Sequence, residues 1–340
     1  MAGFLLRRFA LAVLTVVTVS FVAFVSFGKS LDPSYPLVVS TDQTPRHLVQ
    51  AHYHLTDPIL ERYWLWVKNF AHHGFGKPAS TSVADGQVIE SSTNISSELW
   101  DAGWKTVQLV GFALAITVLL SLLLGTLSAR WRGGAVDAGV RILNYLSWSV
   151  PAFLIAFFFR RWFTGSQTAS SFVYGPQTIG YAGKPIFIIG APTRGFVDWF
   201  QHMTLPAVAL ALGLVGVYSR YIRSSMLVSL SQPYAVVARA KGLGEGRVVV
   251  RHALRNSLIP FVSALSLEVG AIVGASMAAD WVFSLGGMAT LTIGALGRAD
   301  PFEMTAVVIT LSAIVIVFMT LADLVVGWLD PRARIAGATS

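Results

Sequence analysis

Between Arg8 and Lys29 the chain runs through 20 residues, Phe9 to Gly28, without a charge. Five more stretches of this kind follow: Thr106 to Ala129, Ile142 to Phe159, Trp199 to Ser219, Asn256 to Ala279 and Met304 to Leu329. Glu268 alone interrupts the fifth and Asp323 alone the sixth. A helix of about 20 apolar residues crosses a ~30 Å hydrocarbon core, so each stretch has the length of a membrane span. Charged residues make up 12% of the chain and apolar ones 54%. Soluble domains carry about 25% charge, so a water-facing surface of ordinary size is excluded here. The first stretch exceeds the roughly 7–15 residue core of a secretory signal and lacks a small-residue cleavage site, so it reads as a retained anchor. The expected fold is an all-α polytopic membrane protein with six transmembrane helices.

Six spans put both termini on one side, and the basic residues give that side its sign. Fourteen of the 25 Lys and Arg fall there: Arg7, Arg8, Arg130, Arg132, Arg141, Arg220, Arg223, the five from Arg239 to Arg255, Arg332 and Arg334. They face three acids, Asp137, Glu245 and Asp330. Basic loops stay cytoplasmic, so both termini are expected inside. The net charge of +8 is thereby explained by topology, and nucleic acid is not an expected partner.

The segments expected outside are long. Residues 29–104 are polar and punctuated by Pro33, Pro36, Pro45, Pro58 and Pro78, which predicts a small folded outer element with short helices, one around Pro58 to Phe70. Tyr63, Trp64, Trp66 and Phe70 have helical spacing; a helix with its rings at headgroup level is preferred to a substrate cage. A second loop, about 160–198, is dense in Gly and Pro and predicts turns and short extended pieces.

Enzyme signatures are missing. The sequence has no H-E-x-x-H, no G-x-S-x-G and no P-loop, and it has no cysteine to serve as nucleophile or ligand. Five of the seven histidines (His47, His52, His54, His72, His73) fall in the first long loop, where solvated side chains are the plain reading.

The connection at about 220–258 is neither span nor ordinary loop. Gln232-Pro233-Tyr234 opens a short helix with Pro233 in its first turn, Arg239 and Lys241 complement its C-terminal end, and Gly242 ends it. Small side chains at Ala235, Ala238 and Ala240 suggest a face that another protein can approach closely. The glycine turn and a second basic helix complete a compact docking knob. An amphipathic helix lying on the inner leaflet is the competing reading, but the segment lacks the Phe, Trp and Leu that anchor such helices.

This segment resembles the EAA loop of ABC-importer permeases in its peptide-transporter form: Tyr234 to Leu243, Val248 to Val250, Arg251 to Leu254, Asn256 and Pro260. Phe4 to Arg8, Leu55 to Pro58 with Arg62-Tyr63, Val282-Phe283-Ser284 and Asp330-Pro331-Arg332 extend the resemblance to the B-type permease subunit of oligopeptide/dipeptide importers. Val236 stands at the glutamate position of the general EAA pattern, Arg255 where many relatives have proline, and Gly286 in place of a common proline. Residues 79–94 look like a local extension.

The resemblance implies a type I ABC-importer permease fold, divided into a cytoplasmic N-terminus with the first span (1–28), an outer loop domain (29–104) and a permease core (105–340) carrying the coupling loop 220–258. It implies a homologous C-type permease, two ATPase subunits that bind the ATP and Mg, and an extracytoplasmic peptide-binding protein as partners. No cofactor is expected in this chain, and its place would be the inner membrane of a prokaryote. The ATPase-coupling residues would be Tyr234, Ala235, Ala238, Arg239, Ala240, Lys241, Gly242 and Leu243. Glu268, Asp280 and Phe283 are the candidates for pathway or gate. For Glu268, a lining that attracts a peptide ammonium group stands beside a structural hydrogen bond between helices, because a carboxylate in a span faces the bundle interior or a cavity. A proton-driven transporter using Glu268 and Asp323 is the alternative class, and nickel or glutathione is the alternative cargo.

Overall fold

The computed structural model describes residues 2–35, 44–80, 82–84, 87–89, 91–163, 180–181, 184–185, 187–193 and 195–329. Asp330 to Arg332, Arg334 and much of the Gly- and Pro-rich loop (Gly165, Gly175, Pro176, Gly183) lie outside the described residues. In chain order the elements are α1 (Ala2–Ser30), α2 (Thr44–His52), α3 (Ile59–His73), β1 (Val83–Ala84), β2 (Gln87–Val88), α4 (Ile95–Arg130), α5 (Ala135–Ser149) and α6 (Ala152–Phe163). Then come β3 (Gly180–Tyr181), β4 (Lys184–Pro185), α7 (Phe196–Leu230), α8 (Pro233–Ala240), α9 (Glu245–Arg247), a π-helical segment (Val248–Leu254), α10 (Arg255–Leu267), α11 (Val269–Phe283), α12 (Met288–Gly297) and α13 (Pro301–Leu329). The strands form two antiparallel pairs, Val83 opposite Val88 and Gly180 opposite Pro185.

Among the described residues four helices, α1, α4, α7 and α13, are long and apolar enough to span a bilayer. The third and fifth spans are broken, which corrects the expectation of continuous apolar rods. α5 and α6 meet at 94°, and the run Glu245–Leu267 meets α11 at 59°; counting each bent pair as one span gives six. The first break follows from Pro151, which lacks an N–H and pushes the preceding residue out of the helical region. Val150 accordingly has φ −106 and ψ 119. At the second break Glu268 closes α10 with φ −94 and ψ −1. The short apolar helix α12 was not anticipated from the sequence.

The chain packs as two compact units, one of residues 1–106 and 286–316, the other of 107–285 and 317–340. Residues 286–316, grouped by chain order with the core, thus belong with the first 106. In the first unit α3 lies against α1: Tyr63 bonds Ser20 Oγ at 2.9 Å, and the buried Phe24 meets Tyr63 and Trp66 at 5.4 and 5.7 Å. Half of the aromatic run therefore packs helix on helix, while Trp64 and Phe70 stay exposed. Buried Asp300 caps α13 through the N–H groups of Phe302 and Glu303 and also accepts from Ala79 at 2.5 Å. That carboxylate ties the loop domain to the start of α13.

In the second unit α7 is the hub, in contact with α5, α6, α10, α11 and the π segment. Its small residues permit this. A Cβ at Gly216 would lie 2.6 Å from the Asn144 carbonyl oxygen, so only glycine allows α5 this close. Leu109, Met203, Leu210, Val282, Phe283 and Leu285 form its apolar core.

Candidate functional site

The segment between α7 and α10 folds into the knob that its sequence suggests. Pro233 occupies the first turn of α8, and Gln232 precedes it in extended conformation. Gly242 adopts φ +79, a left-handed geometry that carries no Cβ penalty in glycine, and its N–H donates to Arg239 O. The N–H of Leu243 then bonds Ala238 O at 3.2 Å, closing the turn in the 6→1 manner of a helix C-cap. Arg239 fastens both ends: Nε donates to Glu245 Oε1 at 2.6 Å and Nη1 to Leu230 O at 3.1 Å.

The alanine face is turned the other way from the expectation. Ala235 and Ala238 are buried against Val248, with Leu230 and Leu243 beside them, so this face holds the knob together and is not open to another protein. Their small size is used inside the chain, to bring α8 down onto the π segment. The outward face carries Val236 and Val237, 55% and 51% exposed, with Ala240 exposed beside them and Tyr234 and Lys241 at its edge.

Glu268 reaches an opening. The two helix breaks meet at one recess of about 260 Å³, lined by Trp148, Val150 and Pro151 from the first break, Gly213 and Leu214 of α7, and Glu268 at the second break. Apart from Ser147 its walls are mostly apolar, and Glu268 is its one charged residue among those described. The structural hydrogen bond considered for Glu268 is not among the contacts of the described residues, where its carboxylate has no hydrogen-bond partner. Asp280 and Phe283 do not line the recess; both are buried at the end of α11, Phe283 in the apolar core of the unit. The N–H of Gly190 donates to Phe283 O at 3.0 Å, and Arg160 donates to Val282 O, so this end of α11 is fastened by backbone contacts.

A polar ladder between α5 and α7 escaped the reading of the sequence. Arg223 grips Asp137 through Nε and Nη2 at 2.8 and 2.9 Å, and Ser128 and the N–H of Gly133 also donate to that carboxylate. Seven residues along α5, Asn144 accepts from Ser219 Oγ at 2.6 Å, and Ser147 donates to the Leu212 carbonyl. The signal was the spacing of Asp137 and Asn144, two turns apart on one face of α5. This ladder holds α5, and with it the wall of the recess, against α7.

Residues 121–335 match the family of binding-protein-dependent transport system inner membrane components. The chain belongs to this family. A member of it is a membrane permease component that performs no catalysis of its own, and the helical, multi-pass architecture described above fits it. It is similar to the dipeptide transport system permease protein DppB of Bacillus subtilis (strain 168), 30% identical over 87% of this chain and 86% of that protein. It is also similar to the dipeptide transport system permease protein DppB of Lactococcus lactis subsp. cremoris (strain MG1363), 28% identical over 98% of this chain and 100% of that one. Among solved structures, the inward-facing MetNI methionine ABC transporter is matched at TM-score 0.48 and 16% identity, covering 69% of this chain and 98% of that chain.

Proposed function

We propose that this permease is the B-type subunit of an ATP-driven importer of short peptides. The observation that carries the reading is similarity along nearly the whole chain to permeases named for dipeptide transport. The family name itself supports a binding protein as partner, and the resemblance of the loop at 220–258 to the EAA loop supports a second permease and ATPase subunits. The basic asymmetry of the loops supports cytoplasmic termini, in the inner membrane of a prokaryote. Nothing in these similarities speaks for proton coupling, nickel or glutathione.

Within this reading the knob formed by α8 and the π segment is the contact with an ATPase, which supplies ATP and Mg chemistry from outside this chain. Val236, Val237 and Ala240 would enter the partner's surface, Tyr234 and Lys241 would flank them, and Ala235, Ala238, Arg239, Gly242 and Leu243 keep the knob rigid. Glu268 would attract the ammonium end of a peptide at the recess. Asp280 and Phe283 would act by bracing the end of α11, not by lining the path. Deleting this chain should abolish uptake of a labelled dipeptide by cells, and restoring it should return uptake. Glu268→Gln should reduce uptake while the assembled complex survives purification. Undiminished dipeptide uptake in the deletion strain would overturn the cargo assignment. Loss of the complex in Glu268→Gln would make that carboxylate structural.

A further inference from the structure

The turn from α4 into α5 gathers positive charge that the fold does not consume. Arg130, Trp131 and Arg132 are exposed there, and Gly133 bends the chain with φ +78. The bend brings Arg141 to the turn: the Gly133 N–H donates to Asp137 Oδ2 at 3.0 Å, and Arg141 Nε stands 4.0 Å from the same oxygen. That carboxylate is already committed to Arg223, which holds it through two bonds, and to Ser128. Arg141 therefore has only a long contact, and its side chain is 53% exposed. Arg130 reaches toward the knob, its Nη1 4.0 Å from where a Cβ on Gly246 would stand, but Glu245 next to it is paired with Arg239. Among the described residues neither Arg130 nor Arg132 has a carboxylate within ion-pair distance. The ground between them is open, since a Cβ at Gly133 or Gly139 would meet nothing within 4 Å.

The turn ends a helix long and apolar enough to span a bilayer, so its arginines stand where that span leaves the hydrocarbon. Trp131, 47% exposed and 5.5 Å from the Arg130 guanidinium, is the residue type that settles at headgroup level. Past Arg141 the outward face of α5 continues as Ile142, Tyr145 and Leu146, each close to 60% exposed. Charge at one end and apolar side chains beyond it are the two halves of a lipid. An arginine fork matches phosphate oxygens, and basic pockets at the ends of spans attract anionic headgroups. We propose that this turn binds an anionic phospholipid, its phosphate held by Arg130, Arg132 and Arg141 and its acyl chains laid along Ile142 and Leu146. The headgroup sits directly above Asp137, the carboxylate through which α5 is fastened to α7.

The test titrates the full chain, purified from membranes in detergent, with phosphatidylglycerol and with phosphatidylcholine, and counts bound lipid by native mass spectrometry. Phosphatidylglycerol should bind at least about tenfold more tightly, because each arginine near a headgroup contributes roughly fivefold for an anionic lipid. Arg130→Gln combined with Arg132→Gln should weaken it by about twenty-five-fold and leave phosphatidylcholine unchanged. Arg141→Gln, which leaves the bonds between Arg223 and Asp137 in place, should weaken it by about fivefold and serves if the double variant fails to fold. Arg251→Gln combined with Arg255→Gln removes the same charge from other exposed positions and should weaken binding by no more than about twofold. Equal losses in the two double variants would mean diffuse attraction to a basic surface and overturn the site. Equal affinity for the two lipids, or unchanged affinity after the substitutions at Arg130, Arg132 and Arg141, overturns it as well. Neither transport nor ATP hydrolysis is measured, so the outcome is independent of the cargo assignment.

Discussion

Glutamate at Val237 and glutamate at Ala235 should have opposite consequences, although the positions are two residues apart on α8. Val237 is 51% exposed and Ala235 is fully buried beneath Val248. On a solvated face a substitution moves stability by no more than about 0.5 kcal/mol, so Val237→Glu should leave the permease folded and inserted. At Ala235 the same carboxylate would enter a site without a partner, a burial that costs several kcal/mol or forces α8 off the π segment. If α8 docks into an ATPase surface, Val237→Glu places its charge in that interface, at about 2–5 kcal/mol. The loss of affinity is then between about thirtyfold and several thousandfold. The assay is co-purification of the ATPase subunits with tagged permease, together with ATP hydrolysis and dipeptide uptake by the same preparations in vesicles. Val237→Glu should retain the sister permease and lose the ATPase, whereas Ala235→Glu should lower the yield of the permease itself. Normal ATPase binding and uptake in Val237→Glu combined with Ala240→Glu would refute the docking role of this face.

Two further substitutions probe the packing. Asp137→Ala leaves Arg223 without its bidentate partner, and breaking a buried pair at one end costs about 3–5 kcal/mol; a thermal unfolding scan should show a lower midpoint, which adding Arg223→Met should partly restore. Asp300→Ala removes the cap of α13 and the tie to Ala79, with an expected cost of at least about 1 kcal/mol from the cap alone; hydrogen exchange should then rise at Phe302 to Thr305 and around Ala79, and unchanged exchange would remove Asp300 from its structural role.

Spans were legible because twenty uncharged residues have one plain use, and the ends of α8 were legible because Pro233 and Gly242 act locally. The direction of its alanine face was not. Small residues permit close approach, but whether the neighbour is another protein or Val248 of the same chain depends on how the turn at Gly242 redirects the backbone. The break at Pro151 could have been read from the proline alone. The break at Glu268 carries no proline, and its signal was the lone carboxylate in an apolar run. Asp137 and Arg223 were counted by sign, as loop charges, because their pairing depends on the packing of α5 on α7 and their sequence separation gives no hint of it.

The length of α7 has a mechanical consequence. Its 35 residues measure about 52 Å at 1.5 Å each, well beyond the ~30 Å of hydrocarbon that the uncharged stretch from Trp199 to Ser219 can fill. From Arg220 to Leu230 the helix continues unbroken for about 16 Å more before α8 begins. A partner that takes hold of α8 would therefore push on the end of a lever, with its fulcrum where Arg223 is held to Asp137 of α5. A displacement of the knob is delivered along a stiff rod to the level of Gly213 and Leu214, which wall the recess at Glu268.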